Sequence, residues 1–149
     1  HWNYIGIINY AQTSEKIYES WAEAIEWALT NDEYHRMGAK YGGTLAINYD
    51  CPYTNQHKWP NVSDKTYSPI FIDLMDTFNQ RVGGWIGNTF YYGCYSCPND
   101  KISGYSISYI QNHILNEAYG LSSLRDAIKN HKITGVTNTA IDELFVLYW

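Results

Sequence analysis

The stretch SEKIYESWAEAIEWALTNDEY, residues 14–34, decides the fold class. Ile17, Trp21, Ala24 and Ala28 recur at spacings of four, three and four, and Tyr18, Ala22, Ile25 and Leu29 repeat the rhythm one residue on. That is the period of an α-helix with a broad apolar stripe set into a core. Glu15, Glu19, Glu23 and Glu26 form a second, acidic stripe, in which Glu19 and Glu23 stand one turn apart on one face. Ser14 is the expected N-cap, with Glu15 just inside the positive end of the helix dipole. Gly38 is the expected stop.

Downstream, residues 39–67 are crowded with turn formers, among them Gly42, Gly43, Asp50, Pro52, Asn55, Pro60 and Asn61. Only residues 44–49 suit a short strand. A second helix is expected from Ser68 and Pro69, a cap followed by a proline in the first turn. Its core face is Ile70, Phe71, Leu74, Met75 and Phe78, and Gly83-Gly84 is its stop. Residues 85–100, glycine-punctuated and aromatic, suit a loop or hairpin. Three short helices complete the chain, capped by Ser106, Ser123 and Thr137. The expected class is mainly α, a lobe of about five helices with long irregular aromatic-rich loops, all in one domain spanning residues 1–149.

A chain of 149 residues can bury a core without staples. Its net charge of −5 and its lack of a basic cluster argue against a nucleic-acid partner. No apolar run is long enough for a transmembrane segment. Charge is sparse and rings are abundant, with fifteen Tyr and six Trp. Such rings serve either a core with satisfied hydroxyls or a surface that binds sugars or extended peptides.

The chain contains no HExxH, GxSxG, phosphate loop or dinucleotide fingerprint. Cys94 and Cys97 have the spacing of a zinc or redox pair, and Cys51 with His57 would complete a Cys3His structural zinc set. The plainer reading, ahead of zinc and of redox, is a disulfide between two of the three cysteines, or buried thiols. His113 and Glu117 lie one turn apart, at a spacing metals use, but also one that solvated faces show. His35, His57 and His131 have no partner at a readable spacing. For Glu19 and Glu23 the bland alternative is an ordinary acidic face. Against it stand the flanking rings Tyr18 and Trp21 and a stripe broad enough to leave little of the helix to solvent.

The run Glu19, Ser20, Trp21, Ala22 within ESWAEAIEWALT, residues 19–30, resembles the downstream glutamate helix of gluzincin-type zinc metallopeptidases. The likeness is nearest to secreted, often lipid-anchored bacterial zincin-like proteins. In these an HExxH helix is followed by a His-Trp pair, and His1 and Trp2 stand where that pair would fall. SPIFIDLMDTFNQ, residues 68–80, and the closing IDELFVLYW, residues 141–149, are similar to the same group. The resemblance implies that Glu19 is the third zinc ligand and that Glu23 braces a histidine ligand from behind. It also implies a peptide or protein substrate and an exported, extracellular or cell-surface location. Both histidine ligands and the general base of HExxH are absent from these residues, so the chain is expected to be the C-terminal lobe of a larger protein, partnered by the segment before it.

Two other readings stand beside this one. A non-enzymatic module could bind glycan or peptide through Trp85, Tyr91, Tyr92 and Tyr95, and a helical domain could be purely structural.

Overall fold

The computed structural model describes residues 12–41, 68–79, 81–86, 89–93 and 99–146. The long stripe folds as helix α1, Gln12–Tyr41, which starts two residues before Ser14 and runs on through Gly38. Its buried face is narrower than the apolar pattern suggests. Ile17, Ser20 and Ala24 turn fully inward, whereas Ala22 and Leu29, from the second apolar row, are exposed. Among the described elements α1 packs chiefly on one neighbour, a contact that takes a single row of its residues.

That neighbour is α2, Ile70–Met75, whose residues 70–74 are all buried. The N-cap is Pro69 rather than the expected Ser68, so the helix starts one residue later, and the Ser68 hydroxyl accepts from the Ile70 N–H at 3.3 Å from just outside it. The helix ends earlier than Gly83, because its last carbonyls find other donors. The Tyr105 N–H reaches the Leu74 carbonyl at 3.1 Å and the Gly104 N–H the Met75 carbonyl at 3.4 Å. Asp76 then leaves the helix in an extended conformation, and its carboxylate accepts from the Phe78 N–H at 3.1 Å.

The glycine-rich aromatic stretch forms a two-stranded antiparallel hairpin, β1 Gly83–Ile86 and β2 Thr89–Tyr92. Its register sets Gly83 opposite Tyr92 and Trp85 opposite Phe90. Gly93 closes its base. A Cβ there would lie 2.5 Å from the Arg81 carbonyl oxygen, so no other residue fits without moving backbone.

The last third departs from a plain helix after Ser106. That serine caps as expected, accepting from the Tyr109 N–H at 3.2 Å, and α3 occupies Ile107–Tyr109. The backbone then widens into a π-turn over Ile110–Ile114, with the Leu115 N–H bonded to the Ile110 carbonyl, and tightens to a 3₁₀ turn over Leu115–Glu117. This sequence of turns brings Ile110, Ile114, Leu115 and Ala118 all inward. Helix α4, Leu121–Asn130, begins at Gly120 rather than at Ser123. Ser123 sits inside its first turn and reaches backwards, accepting from the Tyr119 N–H at 2.8 Å. Helix α5, Asn138–Phe145, is capped by Thr137 as expected, through the Ala140 N–H at 3.1 Å.

These elements share one core. Ile17 and Ala24 of α1, Phe71 and Leu74 of α2, Ile110 and Ile114 of the π-turn, Leu124 and Ile128 of α4, and Ile141, Leu144 and Phe145 of α5 all belong to it. The protein is mainly α, and no helix among the described residues is long and apolar enough to cross a membrane.

Candidate functional site

Helix α1 carries the acidic stripe on the side away from α2. Glu15, Glu19 and Glu26 are exposed, and Glu23 is half-buried. Burial first, and then the neighbouring Glu26 carboxylate, push the Glu23 carboxyl above the usual glutamate range. The two residues after Glu19 do the holding. The Ser20 hydroxyl, buried in the interface, accepts from the Ser68 N–H at 2.9 Å. Trp21 meets Phe71 of α2 edge to face, with ring centroids 5.4 Å apart. Ser20 was invisible to a search for apolar periodicity, although its place, three residues after Ile17 and four before Ala24, is a stripe position.

Glu117 and His113 behave differently from the pair their spacing suggests. The Glu117 carboxylate bonds instead to His131 Nε2 at 2.8 Å and to Asn130 Nδ2 at 3.4 Å. Those bonds, His131 first, hold the Glu117 carboxyl below its ordinary range. The His113 ring lies between Tyr109, at 4.5 Å, and His131, at 5.7 Å between centroids. His131 therefore has a partner fourteen positions away, a separation no local spacing could reveal. The ladder continues to Tyr105, whose buried hydroxyl has no partner in hydrogen-bonding geometry among the described residues. Burial raises that phenol, with the nearby Ile133 backbone offsetting part of the effect. Among the described residues no group of three or more His, Cys, Asp or Glu is placed to hold a metal ion. Cys51, Cys94, Cys97, His57, His1, Trp2 and Tyr95 lie outside the described residues.

The hairpin presents rings to solvent. Trp85 is 70 % exposed, Phe90 46 % and Tyr92 73 %. Phe90 stands at the centre of an edge-to-face row, 5.4 Å from Trp85 and 5.3 Å from Tyr92. The register explains the row. Trp85 and Phe90 are cross-strand partners, and Tyr92 follows Phe90 by two residues, so all three project from one face.

No family model, curated protein or solved structure matches the chain.

Proposed function

We propose that this chain is the C-terminal lobe of a gluzincin-type zinc metallopeptidase, extracellular or at the cell surface, and that Glu19 supplies the third zinc ligand. The observation that carries the reading is the contrast within α1. Glu19 is exposed while the next two residues are tied down, Ser20 by a buried hydrogen bond and Trp21 by a ring contact. An exposed oxygen donor on a fixed helix suits one position of a zinc site. A catalytic zinc takes three protein ligands, so Glu19 is one contribution, and the two histidines of an HExxH segment would complete the set. Bound there, zinc would polarise a peptide carbonyl and acidify a water. Glu23, one turn on along the same face, would accept a hydrogen bond from a histidine ligand and brace it from behind. A peptide or protein substrate would lie along this face of α1.

Zinc titration of the full-length protein and its Glu19→Gln variant tests the reading. Loss of a first ligand is expected to weaken zinc binding by at least about 10-fold, since even outer partners of a site are worth that much. Equal affinities would remove Glu19 from the metal site.

A second reading draws on the exposed rings of the hairpin. A row of three aromatic side chains on one face suits a glycan or an extended peptide, which stack apolar surface on rings. Calorimetric titration with soluble oligosaccharides and with unstructured peptides, on the wild type and on Trp85→Ala, tests it. Binding that vanishes in the variant supports a binding module, and binding that survives puts any such site elsewhere.

A further inference from the structure

A β-strand offers hydrogen-bonding groups on two sides, and a sheet of two strands satisfies one side of each. Among the described residues the hairpin β1–β2 is such a sheet. Its base fixes which groups turn outward. Gly83 gives its N–H to the Asn79 carbonyl at 2.9 Å, and so not across to Tyr92, its partner in register. Gly83 and Tyr92 are therefore a pair of the kind that exchanges no ladder bonds. Antiparallel pairs alternate, so Gly84 and Tyr91 exchange bonds, and Trp85 and Phe90 do not. The main-chain groups of Trp85 thus point out beyond β1, and those of Phe90 out beyond β2.

The two edges differ. That of β1 is engaged at its start by the Asn79 carbonyl, whereas that of β2 has no strand beside Phe90 among the described residues. Pairs without ladder bonds also bring their side chains closest, which sets the Phe90 ring against Trp85. Phe90 thus supplies both the middle of the exposed ring row and the outward-facing N–H and C=O. Neither GGWI of β1 nor TFYY of β2 carries a charge or a proline, the usual means of keeping another strand away. A sugar would use the rings alone. An extended peptide would use both features, its backbone bonding along β2 and every second side chain resting on the row of Trp85, Phe90 and Tyr92. Resting on the second reading above, in which the exposed rings are a binding surface, we propose that the ligand is an extended peptide that joins the hairpin as a third strand along β2 at Phe90. A third strand is also what a two-stranded hairpin needs to become stable in its own right.

To test this, the full-length protein selects binders from a phage-displayed library of random linear decapeptides, and the selected peptide is resynthesised for calorimetry. Two further versions carry backbone N-methyl groups, one at the odd positions and one at the even. An added strand presents only every second N–H to its neighbour. One methylated version should therefore bind at least about 10-fold more weakly, through the loss of two or more hydrogen bonds, and the other as well as the parent. Selected sequences should carry large apolar side chains at every second position, and Trp85→Ala should lose the parent peptide. The methylation arm needs only the wild type, so it stands even if Trp85→Ala does not fold. Equal effects of the two methylated versions, with binding lost in Trp85→Ala, would overturn strand addition and leave the rings as a site for side chains alone. Failure to select any peptide would also overturn it, and cellohexaose binding that is lost in Trp85→Ala would then make the rings a glycan surface. A peptide held as tightly by Trp85→Ala as by the wild type would overturn the binding-surface reading together with the proposal.

Discussion

Glu19 of α1 and Trp85 of β1 both face solvent, yet what lies beneath them differs. Under Glu19 the helix is tied to α2 by a buried hydrogen bond and by the Trp21–Phe71 contact, and Ile17 and Ala24 anchor it in the shared core. Around Trp85 the ring contacts among the described residues are those within the hairpin, with Phe90 and through it Tyr92. Its strands bond to each other, and at its base the Gly83 N–H reaches the Asn79 carbonyl at 2.9 Å, while the Asn79 side chain donates to Asn99 at 3.2 Å and Asn99 to Glu143 at 3.0 Å. The first arrangement suits a group that must stay in place for chemistry. The second suits a surface that adapts to what it touches, since isolated two-stranded hairpins are marginal on their own.

The comparison can be broken most forcefully at Phe71. Truncating it to Ala empties a fully buried ring site and removes the edge that receives Trp21. About 3–5 kcal/mol of stability should be lost, read as a lower urea midpoint at unchanged slope. A loss below about 1 kcal/mol would mean that α1 is held by something other than α2. The same truncation at Trp85 should cost only about 0.2–1 kcal/mol, the scale of one cross-strand aromatic pair. A cost as large as that at Phe71 would make the hairpin a core element and undo the contrast.

The smallest effect concerns pH. Because burial raises the Glu23 carboxyl in the folded state, the native chain holds a proton that the unfolded chain, near the ordinary glutamate value of about 4.3, has already released. Stability should therefore fall as pH rises from that value through the raised one. Glu117, lowered by His131 and Asn130, works in the opposite sense, contributing stability above the ordinary value that is lost as pH falls. Glu23→Gln should remove the first slope and leave the second, as urea midpoints measured across the acid range would display. Persistence of the descending slope in that variant would assign it to another group.

The helical class was legible because α1, α4 and α5 advertise themselves by period, and Ser106 and Thr137 cap α3 and α5 as their local sequence predicts. Boundaries were legible only where local chemistry set them. Helix α2 stops at Asp76 because Gly104 and Tyr105, some thirty residues away, satisfy its last carbonyls, and nothing near Gly83 signals that. The breadth of the α1 stripe misled for a related reason. Apolar residues such as Leu29 mark what a helix can bury, while the number of neighbours decides what it does bury. Spacing gave Glu19 and Glu23 only as members of a four-glutamate stripe, and the family resemblance singled them out, whereas neither signal pointed to Ser20 or the His131–Glu117 pair. Both depend on contacts between distant segments, and polar residues that complete such contacts carry no periodic signature of their own.

The π-turn at Ile110–Ile114 has a consequence for how this chain tolerates changes in length. A wide turn holds one residue more than the α-helical path between the same two points requires. Deleting a single exposed residue there, Asn112 for instance, lets the backbone return to ordinary helical bonding without pulling Ile110 and Leu115 apart. The same deletion within α4 would swing every later side chain by about 100° and turn Leu124 or Ile128 out of the core. Residues 110–114 are thus the slack in an otherwise taut half of the molecule.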